Sequence, residues 1–216
     1  MQIFYLGHSC FKLQNNNVTL ITDPFDKTVG LKVPNIIADI ATVSHEHKDH
    51  NNTSAVKCNE VNPFVINMPG EYEVKGVFVY GIPCYHDDKN GEERGLNTIY
   101  RIEMDGVNIC HLGDLGHLLT DAELSKIGNI DVLMIPVGGK FTIGAKEASA
   151  IINQMEPRIV IPMHYKMNKT SSSLGLDSIE PFLKEMGISN PEITTKLKIS
   201  KKDLPQGAME IVVMGE

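Results

Sequence analysis

Ser44-His45-Glu46-His47-Lys48-Asp49-His50 sets three imidazoles and a carboxylate into one short run, in the pattern His-x-His-x-Asp-His. The whole chain has eight histidines, so this run is a concentration that chance rarely produces. Imidazole nitrogen and carboxylate oxygen together suit zinc, iron or manganese. Just upstream, Ile40-Ala41-Thr42-Val43 reads as a strand reaching its end. In extended chain His45 and His47 point to the same side. If a helix begins right after them, Asp49 and His50 fall on its first turn and can face a second ion. One loop can then feed two adjacent metals.

Outside that loop the chain reads as an ordinary globular protein. Its 216 residues are 42% hydrophobic and 22% charged, with a formal net charge of -7. An acidic balance argues against broad electrostatic binding of nucleic acid, though it leaves room for a local basic pocket. No apolar stretch approaches a membrane span. Met1-Gln2-Ile3-Phe4-Tyr5 lacks the basic head and apolar core of a signal peptide, so a cytoplasmic location is expected. Cys10, Cys58, Cys84 and Cys110 show neither a Cys-x-x-Cys pair nor zinc-finger spacing and are expected to be reduced, mostly buried in strands.

Glycine and proline are spread evenly, with no repeat or linker, so one domain over residues 1–216 is expected. The first half is nearly all β. Gln2–Leu6, Cys10–Leu13, Val18–Thr22 and residues 64–67 and 74–84 read as strands. Thr98–Met104 and Val107–Leu112 flank the hairpin dipeptide Asp105-Gly106. The pattern then alternates. Thr120-Asp121-Ala122-Glu123 is a capping box opening a short helix. Val132–Val137 and Arg158–Met163 read as strands around an amphipathic helix at Ala145–Met155. Asp177–Met186 reads as a helix that Gly187 can end, and Leu197–Ser200 and Met209–Met214 read as closing strands. This order suits an α/β (α+β) fold: a four-layer αββα sandwich of two mixed β-sheets flanked by helices.

Three more candidate ligands stand just after strands: His86, Asp114 and His164. Loops at one end of a sheet core converge on a common site. His45, His47 and His86 can then bind one metal, Asp49, His50 and His164 a second, and the two oxygens of Asp114 can bridge both. Each of the later residues taken alone has a plainer reading. A strand-end histidine is commonly structural, and an aspartate after glycine commonly forms a turn. Lys140, in Gly138-Gly139-Lys140, follows a strand and can meet an anionic substrate, although a solvated lysine is the commoner case. His111 falls in strand alternation and reads as structural.

The ordered set His45, His47, Asp49, His50, His86, Asp114, His164 resembles the signature of the metallo-β-lactamase superfamily. That signature is His-x-His-x-Asp-His followed along the chain by a His, a bridging Asp and a final His. Gly7-His8, Thr22-Asp23-Pro24 and Gly113-Asp114 make the chain similar to a small hydrolase branch related to ascorbate-6-phosphate lactonases. The resemblance implies the superfamily's αββα sandwich and a metal-dependent hydrolase. It would use a metal-bridging hydroxide against a lactone or ester carbonyl, or a phosphoester, of a small molecule. It implies two divalent metal ions, zinc first, with manganese or iron as alternatives. Asp49 would hold both a metal and the hydroxide. The resemblance places the His8 turn near the site, where His8 contacts substrate or supports a ligand, and Asp23 would orient a ligand imidazole. His117, three past Asp114, is a candidate proton donor to the leaving group. Histidine rather than glutamate at position 47 disfavours an oxygen-reducing diiron role. No cap domain or basic arm of the superfamily's nucleases is evident. Two rival readings stay open: a catalytically idle metal-binding or sensing module, and a metal-dependent nuclease.

Overall fold

The computed structural model describes residues 1–33, 35–59, 62–167 and 174–215. The early strands are β1 (Gln2–Gly7), β2 (Cys10–Gln14), β3 (Thr19–Thr22), β4 (Ile36–Ile37), β5 (Ile40–Thr42), β6 (Val56–Lys57) and β7 (Phe64–Ile66). A meander follows, β8 (Gly70–Val74), β9 (Val77–Tyr85), β10 (Leu96–Met104) and β11 (Val107–His111). The second half alternates as α1 (Asp121–Ile127), β12 (Val132–Pro136), α2 (Ala145–Met155), β13 (Ile159–Met163) and α3 (Glu180–Glu185). It ends in four two-residue strands, β14 (Ile193–Thr194), β15 (Leu197–Lys198), β16 (Glu210–Ile211) and β17 (Val213–Met214).

Two mixed sheets form the sandwich. One runs β15-β1-β2-β3-β5-β7 and the other β16-β13-β12-β11-β10-β9-β8. β12 and β13 are buried along their whole length, as parallel strands covered on both faces must be. Adjacent residues of the first sheet face opposite ways: Phe11, Leu20 and Ile40 enter the core shared with the second sheet, while Cys10, Ile21 and Ala41 enter a smaller one outside. Tyr100 of β10 reaches across the sandwich, its Oη 2.9 Å from Val43 O and 3.1 Å from Ile66 O. Burying one large apolar side chain contributes about 1.5–3 kcal/mol, so the continuous core between the sheets is what holds them face to face.

The expected sandwich of two mixed sheets is the fold, with α-helices on the outer face of the second sheet. Ala148, Ile151, Ile152, Phe182 and Leu183 put α2 and α3 on the outer face of the second sheet. Over the first sheet the outer layer, among the described residues, is the Lys27–Val29 3-10 turn with Phe25, Leu31 and β4/β6, rather than an α-helix. No helix among the described residues is long and apolar enough to cross a membrane.

Local expectations held where turn chemistry spoke and shifted where tertiary bonds overrode it. Asp105 and Gly106 both take positive φ, as a tight hairpin needs, and the Thr120/Glu123 capping box forms. The expected 74–84 strand is broken by a second such hairpin, with Lys75 and Gly76 at φ 52° and 77°. The helix expected from Asp177 begins only at Glu180, because Asp177 gives its N–H to Gly138 O and its carbonyl to Lys166 N–H. No helix follows His47. Hydrogen bonds from His50 N and Asn51 N to His47 O make a single turn there. The Met209–Met214 stretch splits into β16 and β17, which join different sheets.

Candidate metal centre

β1, β3 and β5 of the first sheet run in one direction, and so do β9, β11, β12 and β13 of the second. Every residue of the cluster and its Asp23 support follows the C-terminal end of one of these strands. His8 follows β1, Asp23 follows β3, and the 44–50 loop follows β5. His86 follows β9, Asp114 follows β11, and His164 follows β13. The Thr98 N–H bond to Ser44 O and the His164 N–H bond to His8 O, each 2.8 Å, stitch the two sets of loops together. Gly113, Gly116 and Gly138 allow close approaches, and a β-carbon at Gly138 would strike the His164 carbonyl. A β-carbon at Gly113 would strike Asn97 and Ser44, and one at Gly116 would strike the backbone of His86 and Asp87.

Asp114, 3% exposed, lies at the centre. Its Oδ2 is 3.1 Å from His164 Nε2, 3.3 Å from His50 Nε2, 3.4 Å from His86 Nε2 and 3.9 Å from His45 Nε2. Ligand atoms of His45, His47 and His86 lie within 4.8 Å of one another, and so do those of His8, Asp49, His50 and His164. The structure thus brings all seven sequence-predicted ligands into one cluster and adds His8. His47 is exposed, while the other imidazoles are buried.

The donor set fits a metal. His45 Nε2, His50 Nε2 and Asp114 Oδ1 are buried with no hydrogen-bond partner among the described residues. Buried polar atoms are rarely left so, unless something outside the chain completes them. Behind them stands fully buried Asp23, whose carboxylate accepts Ser44 N–H (2.8 Å), the Ser44 hydroxyl (2.6 Å) and His50 Nδ1 (2.9 Å). Ser44 Oγ is also 2.9 Å from His45 Nδ1, so one carboxylate orients two imidazoles. Asn97 accepts the Asp114 N–H at 3.0 Å and donates to Leu112 O at 2.9 Å, fixing the turn that aims Asp114. Ser44 and Asn97 escaped the sequence reading; only Ser44's place beside His45 hinted at a role.

Charge within the cluster is uneven. Burial, with nearby His50, pushes the His45 imidazole down to about 2, and burial with His164 pushes His8 down to about 4. Burial opposes charge on His50 too, but Asp114 and then Asp23 hold it well above the ordinary histidine range. Burial also works against charge on Asp49 and Asp114. The His8 hydrogen bond for the former, and His164 with His50 for the latter, keep both carboxyls well below their usual range.

Three candidates lie outside the cluster. His111 accepts Gly113 N–H and bonds Ser9 O at 2.8 Å, a structural role as expected. His117 engages both ring nitrogens with backbone, Nε2 accepting Tyr85 N–H at 3.2 Å and Nδ1 lying 2.8 Å from Leu118 O. Lys140 lines, with Gly116, His117, Ile143 and the acidic Asp88 and Glu147, a cavity of about 600 Å³. Its Nζ sits 5.0 Å from the Phe141 ring centroid, and the Arg94 guanidinium sits 4.5 Å from the same ring. Asp87 folds the loop after His86 by accepting the N–H groups of Lys89, Gly91, Glu93 and Arg94.

The sequence pattern of the β-lactamase superfamily domain matches residues 2–164. A protein of Thermococcus onnurineus described as a UPF0173 metal-dependent hydrolase is 32% identical, over 76% of this chain and 84% of its own. A Methanoculleus marisnigri protein of the same description is also 32% identical, over 76% and 81%. Among solved structures, a candidate zinc-dependent hydrolase of the metallo-β-lactamase superfamily from Thermotoga maritima is 36% identical. It superposes with a TM-score of 0.78 over 99% of this chain and 98% of that one. An isothiocyanate hydrolase from Delia radicum gut bacteria, 12% identical, shares the fold at a TM-score of 0.66 over 93% and 100%. The chain belongs to the metallo-β-lactamase superfamily, within its family of UPF0173 metal-dependent hydrolases.

Proposed function

We propose that residues 1–216 form one domain that hydrolyses a small molecule at a pair of divalent metal ions. His45, His47 and His86 hold one ion, Asp49, His50 and His164 hold the other, and Asp114 stands between them. Zinc is the first candidate and manganese or iron the alternatives, since the donor types are shared. The observation that carries this reading is the single Asp114 oxygen within 3.1–3.4 Å of imidazoles drawn from both sets. Bound there, such ions supply hydroxide near neutral pH and polarise a carbonyl or phosphoryl oxygen.

The chain's own groups do the rest. Asp49, about a quarter exposed at its side chain, would accept a hydrogen bond from the water or hydroxide that such ions supply. Asp23 and Ser44 fix His45 and His50 so that the donor atoms need no rearrangement. Lys140 offers a positive group at the cavity, whose lining also carries Asp88 and Glu147. Lys140 is the group there that can meet the anionic part of a lactone or phosphoester. His117 can donate a proton to a leaving group only by giving up a backbone bond.

Metal-loaded protein is expected to turn over phosphoester or lactone substrates, and chelated protein is not. Lys140→Ala should raise KM about fivefold or less for anionic substrates and leave neutral ones unchanged, the size of one exposed charge contact. Metal-loaded protein inert toward both classes would favour the idle binding module.

A further inference from the structure

Asp114 is flanked by two trios of imidazoles of similar spacing. Ring centroids of His45, His47 and His86 lie 4.5, 4.7 and 5.2 Å apart. Those of His8, His50 and His164 lie 4.3, 4.8 and 5.7 Å apart. The ligand set read from sequence gives the second position only two of its three rings, because His8 stands alone after β1. We propose that His8 is itself a metal ligand, completing the second position through Nε2 alongside Asp49, His50 and His164. This rests on the reading that a metal ion occupies that position.

Three observations carry it. First, His8 Nε2 lies 3.2 Å from Asp49 Oδ2. Two donors on a tetrahedral zinc, each about 2.05 Å from it, sit about 3.3 Å apart. Other pairs in this half of the cluster have like spacing, 3.1 Å for His164 Nε2 to Asp114 Oδ2 and 3.8 Å for His50 Nε2 to Asp49 Oδ2. Second, His8 is 2% exposed and its Nδ1 has no hydrogen-bond partner among the described residues. A turn histidine with no task would face water, and a structural one would engage both nitrogens, as His111 does. Third, the backbone holds His8 in an unfavoured conformation to put the ring there. His8 and His164 both take positive φ, 56° and 53°. One carbonyl ties them, since His8 O accepts both the His164 N–H and the Tyr5 hydroxyl at 2.8 Å.

The rival account is that His8 donates a hydrogen bond that positions Asp49 and touches no metal. Zinc binding by the full chain, measured in competition with a chromophoric chelator, separates the two. Wild type should bind about two ions. His8→Ala and His8→Gln should both keep the first ion and weaken the second by more than about 100-fold, beyond the 10–100-fold typical of removing a group behind a ligand. The cobalt-loaded protein should lose visible absorbance from one ion only. Glutamine can supply the Asp49 hydrogen bond and most of the ring's volume, but it is a poor ligand. Wild-type affinity in His8→Gln would overturn the proposal in favour of positioning, and unchanged affinity in His8→Ala would overturn it outright. Fewer than two ions on wild type would instead fail the two-metal reading, and His8 with it.

Discussion

The two imidazole trios around Asp114 are built differently. His45 and His47 come from one loop, two residues apart, and His47 faces solvent. His8 and His164 follow β1 and β13, His50 shares the loop of His45 and His47, and all three are buried. Each trio takes two rings from loops of the first sheet and one from the second, so neither is complete until both sheets have packed; they differ in exposure, through His47. If each trio holds an ion, the position beside His47 is the open one, facing exchange, and the position beside His8 is the enclosed one.

Asp114→Ala should have the largest effect, because Asp114 is the group both trios share. Bound metal is expected to fall from about two ions per chain to below one, with hydrolysis at background, read by elemental analysis and turnover together. Retention of both ions would erase the idea of a shared centre. Next comes the order of metal loss. With a chelator in excess, the ion beside His47 should leave first, and His47→Ala should speed that phase alone, while His164→Ala should strip the buried ion and lower the melting temperature. Simultaneous release would break the comparison.

Asp23→Asn should act on both trios at once, since Asp23 orients His50 directly and His45 through Ser44. A loss of about 10–100-fold in affinity at each position is expected. An effect confined to one ion would show that the Ser44 link carries nothing.

The smallest effect is the pH dependence of metal-stripped protein. Burial lowers His8 to about 4 and His45 to about 2, and lowers His86 and His111 in the same direction. Unfolded, these rings take up protons near 6.5. The unfolded chain therefore binds more protons below that pH, and folding stability falls as pH drops from about 6.5 toward 4. His50, held protonated by Asp114 and Asp23, acts mainly above pH 6.5, where its contribution fades as pH rises. Chemical denaturation at several pH values would show it, and a stability that held steady or rose between pH 6.5 and 4 would contradict it.

Much of this was legible in the chain. The His45–His50 run needs no partner elsewhere to be noticed, and strand alternation marked His86, Asp114 and His164 as strand-end residues. The Asp105-Gly106 hairpin and the Thr120 cap were readable because their bonds are local. What sequence could not show depends on contacts across the sandwich. Ser44 and Asn97 acquire their tasks only when β3, β5, β10 and β11 are side by side. Asp177 leaves its expected helix because Gly138 and Lys166 claim its backbone. His8 reads as a turn residue until β1 is laid parallel to β3 and its end meets His164.

The most direct measurement is the number of metal ions per folded chain, by native mass spectrometry of protein purified without chelator. About two ions on wild type, and fewer than one on Asp114→Ala, is the expected result. A single ion on wild type, unaffected by Asp114→Ala, would contradict a shared two-metal centre.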